Sequence, residues 1–243
     1  MKSSVFKLSL AAAIFCIAGG AFAEQAGDTI GSIGIAYLSP DAKLGTLTTT
    51  GGGPTGAIIT SQLAGASASI DGKTTLSMSV LHLFTDNIGA EFTIGVPPKV
   101  TVDLNTPNGA PQSHPGAATA KVLTPALVGK YLFLEPSSAY RPYLGLGLTR
   151  VSFSSVSPNK NDATVNAIAG TSTSLSSSWA PVYNFGMIYN INDKWSINGS
   201  ISYIPIKTDM TLTGPGVGGG PVTTTGTLKI NMTDYVLRVG YKF

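Results

Sequence analysis

The chain is 243 residues long and only 11% of it is charged, with 15 Lys plus Arg against 12 Asp plus Glu; a typical soluble domain carries ~25% charged residues. Lys2 and Lys7, the apolar stretch Leu8 to Ala18 and the small-x-small site Ala21-Phe22-Ala23 are the pattern of a secretory signal peptide, so residues 1–23 are expected to direct Sec export and residues 24–243 to form the mature domain. Without the signal the basic residues fall to 13 against 12 acids, a net charge near +1, which removes the electrostatic support for nucleic-acid binding.

Cys16, the single cysteine, lies inside the signal and follows Phe15 rather than a small residue. No lipid anchor, disulfide or thiol chemistry is therefore expected of the mature chain. After residue 23 no apolar run approaches the ~18 residues of a membrane helix, so strands with alternating polarity are the remaining signal.

The first predicted strand, Ile33 to Leu38, places Ile33, Ile35 and Tyr37 opposite Gly34 and Ala36, and residues 39–73 read as a long polar loop. Leu76, Met78 and Val80 alternate with serines in the second strand, which the Thr85-Asp86-Asn87-Ile88-Gly89 turn ends. The third puts Ala90, Phe92, Ile94 and Val96 outward against Glu91, Thr93 and Gly95, Pro97-Pro98 stops it, and a second long loop runs to about Thr119. In the fourth, residues 120–133, Leu127, Gly129, Tyr131 and Phe133 oppose Ala126, Val128 and Lys130, and Glu135 to Ser138 form a turn. The fifth, Tyr143 to Phe153, sets Leu144, Leu146 and Leu148 against Gly145 and Gly147, before a polar loop over residues 155–177. The sixth carries Phe185, Met187 and Tyr189 opposite Asn184 and Gly186. A turn at Asn192 to Lys194 leads to the seventh, with Ile197, Ile201 and Tyr203 opposite Asn198, Ser200 and Ser202. A Gly-rich fourth loop over residues 214–220 precedes the last strand, Thr227 to Phe243, whose odd positions Tyr235, Leu237, Val239, Tyr241 and Phe243 are all large and apolar.

Connections alternate long and short. That parity predicts an all-β fold, an eight-stranded antiparallel up-and-down transmembrane β-barrel with four long extracellular loops and three short periplasmic turns. Large residues should then face lipid, small and ionic ones the lumen, and aromatic rings near strand ends should form interfacial girdles. A soluble lipocalin-like carrier would need polar outer faces instead.

Several of these motifs, taken in order, resemble the OmpW family: Thr85 to Glu91, Arg141-Pro142-Tyr143-Leu144-Gly145-Leu146-Gly147, Ser178-Trp179, Trp195 and the closing Gly240-Tyr241-Lys242-Phe243. The resemblance spans nearly the whole mature chain. It implies a Gram-negative outer-membrane barrel that passes small hydrophobic or amphipathic molecules inward through a narrow lumen with a lateral opening in its wall. It also implies that the C-terminal strand, through Tyr241 and Phe243, is the signal read by the barrel-assembly machinery. Where the family has an apolar lumen constriction this chain aligns Thr93 and Ser202, although a slip of two residues would bring Ile204 there.

The lumen-lining candidates are Glu91, Thr93, Lys130, Asn184, Asn198, Ser202 and Arg238, with Lys242 also inward by parity. Glu91 and Lys130, on neighbouring strands, read either as a solute filter or as an ion pair filling a small barrel, and the second reading is favoured because eight strands enclose little more than their own side chains. Inward Gly95, Gly145, Gly147 and Gly186 leave space. Apolar Ile58, Ile59, Leu63, Val100, Val102 and Leu104 inside polar loops read equally as an outer vestibule or as strand continuing beyond the membrane. His82 on the lipid-facing register and His114 in a loop show no partner of triad type, so no enzyme, metal site or cofactor is implied. The competing function is a structural barrel serving as adhesin or phage and colicin receptor without transport. Lipid and small hydrophobic solutes are the expected partners in the first reading.

Overall fold

The computed structural model describes Glu24 to Phe243; the expected signal peptide lies outside the described residues. In chain order the elements are β1 (Thr29–Leu44), β2 (Thr48–Gly51), α1 (Pro54–Gln62), β3 (Ser67–Ile70), β4 (Lys73–Leu83), β5 (Ile88–Gly95), β6 (Lys99–Asn105), β7 (Ser113–Leu123), β8 (Ala126–Leu132), β9 (Tyr140–Pro158), α2 (Ala163–Ala169), β10 (Ser172–Leu175), β11 (Ser178–Asn190), β12 (Trp195–Gly214) and β13 (Val222–Lys242). Eight of these strands pair antiparallel into a closed ring, in the order β1, β4, β5, β8, β9, β11, β12, β13 and back to β1. Closure leaves no unpaired sheet edge, which hydrocarbon would not tolerate.

The short turns Phe84 to Asn87, Phe133 to Ala139 and Ile191 to Lys194 gather at one end together with both termini, where Phe243 N donates to Thr29 O at 3.1 Å. Around this end the rings of Tyr131 and Phe133 meet edge to face, as do Trp195 with Tyr241 and Tyr241 with Phe243, at 5.0 to 5.3 Å between centroids. A second row, Tyr37 with Tyr235 and Tyr183 with Tyr203, lies farther along the same wall. Trp195 and Tyr203 are eight residues apart on β12, which at ~3.3 Å per residue and a tilt of ~40° separates the rows by about 20 Å, close to the ~25 Å apolar band of such barrels. Between the rows the outward side chains are exposed and apolar, including Ile33, Ile35, Leu76, Phe92, Leu127, Leu146, Phe185, Leu237 and Val239.

Above the second row the polarity of the wall inverts. Outward positions become Asp41, Lys43, Lys207, Asp209 and Lys229, while inward positions become Leu38, Leu44, Ile204, Ile206, Met210, Leu228, Ile230 and Met232. The wall thus leaves lipid, enters water and keeps an apolar interior. This corrects the expectation of irregular polar loops. β1, β9, β12 and β13 run on well past the membrane, β6 and β7 form a hairpin, and β2, α1, β3, α2 and β10 pack as a cap. A scan for outward apolar residues loses these extensions because it tracks only one sign of the alternation.

Candidate functional site

The interior is layered from the turn end upward. At the bottom, Arg141 is 0% exposed; its Nη1 donates to the Glu24 carbonyl at 2.6 Å, Nη2 donates to Asp86 O, and Asn190 Nδ2 donates to Glu24 Oε2 at 3.3 Å. Burial pushes the Glu24 carboxyl above its ordinary range, against the opposing effects of Asn190 and Arg141. Ile30, Leu81, Leu83, Leu132, Tyr143 and Ile188 pack beside this group and close the floor. A Cβ at Gly186 would collide with the Tyr143 ring, so this inward glycine makes space that a neighbour fills rather than lumen.

The ionic layer comes next. Lys130 Nζ lies 2.7 Å from Glu91 Oε2, and Arg238 Nη1 lies 3.4 Å from Glu91 Oε1. Arg238 also donates to Ser77 Oγ through Nε at 3.1 Å and Nη2 at 2.8 Å. The Lys130 ammonium sits 3.9 Å above the Tyr143 ring, whose hydroxyl donates to Asn198 Oδ1 at 2.9 Å. Glu91, Lys130, Asn198 and Arg238 are therefore brought together as one buried, mutually bonded layer that fills the barrel. Lys242 instead pairs with Asp28 at 3.1 Å beside the floor.

Above the ions is a cavity of about 70 Å³ lined by Thr93, Asn184, Ser202, Asp234 and Arg238 on its polar side. Thr93 and Ser202 thus sit in a pocket and not at a constriction. The constriction is one step higher, where Val182, Ile204, Ile206, Ile230 and Met232 form an apolar plug. The two-residue slip toward Ile204 describes this level. Above the plug lies an apolar chamber of about 120 Å³, lined by Leu44, Val102, Leu104, Ile168, Met210 and Leu228 among others. Val100, Val102 and Leu104 belong to β6, so all three continue a strand; Val102 and Leu104 also line the chamber, whereas Val100 packs with the plug cluster. Ile59 and Leu63 are buried in the cap and Ile58 is exposed.

The wall is interrupted beside the pocket. Pairing of β5 with β8 ends at Thr93 with Ala126, and the continuation of this seam, β6 with β7, resumes at Lys99 with Lys121. Pro97, Pro98 and Pro125 fall in the interval and carry no N–H for a ladder. Gly95, Val96, Pro98, Val122 and Thr124 at the edges of the interval line the pocket. Val96 N still donates to Leu76 O at 3.0 Å, and Leu76 pairs with Ile35. Both of those side chains belong to the exposed apolar band, so the interruption opens at a depth occupied by hydrocarbon. Pro97-Pro98 reads in the sequence only as a strand stop and Asp234 carries no signal of a role; the two strands each bring proline into the interval, Pro125 near its lower end and Pro98 at its upper end, where Val122 N donates to Pro98 O at 3.2 Å.

His114 departs from expectation. Its Nδ1 lies 2.8 Å from Asp162 Oδ2 and its Nε2 3.2 Å from Thr106 Oγ1, a triad-like chain created because the β6–β7 hairpin folds over α2. His114 and Thr106 are 0% and 1% exposed, so no substrate reaches the hydroxyl, and the trio clamps the cap. Asp162 also caps α2, accepting from Val165 N at 3.0 Å. Although its burial acts to raise the carboxyl, the Val165 N–H and His114 outweigh it and hold Asp162 below its ordinary range. His82 bonds Thr29 Oγ1 at 2.9 Å. Among the described residues no cluster of His, Cys, Asp and Glu is arranged for a metal ion.

A closed antiparallel ring with a lipid-facing apolar band, aromatic rims and an ionic interior defines an outer-membrane β-barrel protein. Its sequence matches the profile of the OmpW family over residues 25–243, and the chain belongs to that family. Outer membrane protein W of Vibrio cholerae serotype O1 is 30% identical, with 100% of each chain covered. Outer membrane protein AlkL of Ectopseudomonas oleovorans is 27% identical over 89% of this chain and 82% of its own. The crystal structure of OprG from Pseudomonas aeruginosa superposes with a TM-score of 0.77 at 24% identity, covering 92% of this chain and 99% of that one. The barrel of AlkL in lipid bilayers does so at 0.61 and 23%, with 95% of each covered. The protein resides in the bilayer of the Gram-negative outer membrane.

Proposed function

We propose that the barrel mediates passive uptake of small hydrophobic and amphipathic solutes, which enter the apolar chamber under the cap, pass the plug and leave sideways through the interrupted seam into the membrane. The observation that carries this reading is the combination of a packed floor with a proline-lined break that opens from the same pocket. A solute reaching the pocket meets Glu91, Lys130, Arg238 and then Arg141 below it, and beside it the small and apolar residues of the seam, Gly95, Val96, Pro98, Val122 and Thr124. The plug side chains Ile204 and Met232 yield by rotamer change, which costs less than breaking the ion layer beneath.

The test is to close the seam reversibly. Residues 24–243 contain no cysteine, so the pair Val96→Cys and Thr124→Cys can be bridged selectively by a bis-methanethiosulfonate and released by dithiothreitol. Protein-dependent uptake of an apolar dye by intact cells should fall to background when bridged and recover on reduction. Uptake that continues through the bridged barrel would rule out the lateral exit. As part of the same reading, residues 1–23 are removed on export, and the terminal strand ending in Tyr241 and Phe243 engages the barrel-assembly machinery. The exposed ring of Phe243 at the periplasmic rim supports that role.

A further inference from the structure

Three inward residues on adjacent strands form a polar row immediately beneath the plug. Asn184 of β11 pairs with Ser202 of β12, which pairs with Asp234 of β13. Two residues farther up each strand stand Val182, Ile204 and Met232, all in the plug. The row is therefore the last polar level before a dry one, and all three residues line the pocket that opens at the seam.

The row carries more unpartnered acceptors than donors, the Ser202 hydroxyl being its one free hydrogen. Asn184 Nδ2 donates to Ser202 Oγ at 2.9 Å and to Ile201 O at 3.3 Å, which uses its hydrogens and fixes its orientation. The Asn184 Oδ1 acceptor is left with no partner although the residue is only 8% exposed. Asp234 Oδ1 is likewise buried and unpartnered. The cations nearest in the lumen are directed elsewhere: the Nε, Nη1 and Nη2 bonds of Arg238 go to Ser77 and Glu91, and Lys130 faces Glu91. Buried acceptors are nearly always satisfied, so a pair left open on one face of a pocket favours a ligand that brings a hydrogen. Adjacent strands lie ~4.8 Å apart, which sets the two acceptors on strands about 10 Å from each other with Ser202 between them. One small head group can reach the row while an apolar tail lies along Val128, Ala126 and the seam.

We infer that the pocket is a head-group subsite that selects amphipathic solutes carrying an O–H or N–H donor, such as primary alcohols and amines, over equally apolar solutes that only accept. This rests on the uptake reading above and adds the class of solute. Asn184 or Asp234 accepts from the head, and the tail points through the seam toward hydrocarbon. An alkane passing the same point leaves both acceptors unsatisfied, and an ether does so as well, taking at most the Ser202 hydroxyl hydrogen.

Decanol and its isomer methyl nonyl ether match in composition and differ in donating a hydrogen bond. Their uptake is measured in intact Gram-negative cells with and without the full-length protein, and the protein-independent rate is subtracted. The wild type should favour decanol about tenfold, the effect expected of one buried hydrogen bond. In the Asn184→Val, Asp234→Val variant, which preserves strand propensity, the ratio of decanol to ether uptake should fall to about one, whatever the absolute rates. Equal protein-dependent rates in the wild type, or a preference that survives in the variant, would overturn the subsite and leave the passage standing. No protein-dependent uptake of either compound would remove the passage and the subsite with it. A measurement that needs no variant is the side-chain amide resonance of Asn184 in lipid bilayers, which decanol should shift and the ether should not; a resonance indifferent to both overturns the assignment.

Discussion

Glu91 is the residue on which the interior electrostatics turn, because one carboxylate pairs with two buried cations. Taking one partner from a buried ion pair leaves an uncompensated charge and costs about 3–5 kcal/mol. Glu91→Gln should therefore destabilise the barrel by that order, and Lys130→Met by clearly less, since Glu91 keeps Arg238. Urea unfolding in lipid vesicles followed by tryptophan fluorescence separates the two. Glu24 works in the opposite sense. Its folded carboxyl is raised above the ordinary 4.5 by burial, so its contribution is full below pH 4.5 and is lost as pH rises through the raised value. Glu24→Gln keeps the bonding geometry without the charge. It should match the wild type in acid and exceed it in stability at neutral pH, by the same unfolding measurement.

At the scale of elements, the lower halves of the strands were legible because outward apolar and inward polar residues alternate strictly in Leu144 to Leu148 or Tyr235 to Val239. The upper halves were not, because Ile204, Ile206, Leu228 and Ile230 face inward and carry the opposite alternation. α2 was invisible for a different reason: its seven residues are held by tertiary contacts and by the Asp162 cap more than by propensity. The His114 to Asp162 bond joins residues 48 apart, which local reading does not reach. Asp162 is depressed below its ordinary 3.8. Its contribution is accordingly present above about that pH and is lost as pH falls through the depressed folded value. Protection factors of the α2 amides, taken relative to the intrinsic exchange rate at each pH, should fall in acid below pH 4 while those of β12 and β13 in the membrane stay high. His114→Ala should raise exchange of the same amides already at neutral pH.

In the whole molecule the polarity inversion and the proline seam divide the labour between two barriers in series, the apolar plug and the packed floor. The candidate site was legible as far as inward parity carries, to Glu91, Lys130, Asn184 and Ser202; the seam required knowing that the strands carrying Pro97-Pro98 and Pro125 are neighbours in the ring. Two barriers in series make a specific claim about ions. If solutes leave sideways between them, an axial pore exists only when both are open. Ile204→Ser with Met232→Ser wets the plug but leaves Arg141, Glu24 and Tyr143 across the floor. Arg141→Ala with Tyr143→Ala loosens the floor but leaves Val182, Ile204 and Ile230 dry above it. Each double variant should keep the low conductance expected of the wild type in planar bilayers, while the four substitutions combined with Glu91→Ala and Lys130→Ala, which also remove the ionic layer between, should show discrete channels. Channels in the plug variant alone would mean that the floor is no barrier and that solutes have an axial route to the periplasm.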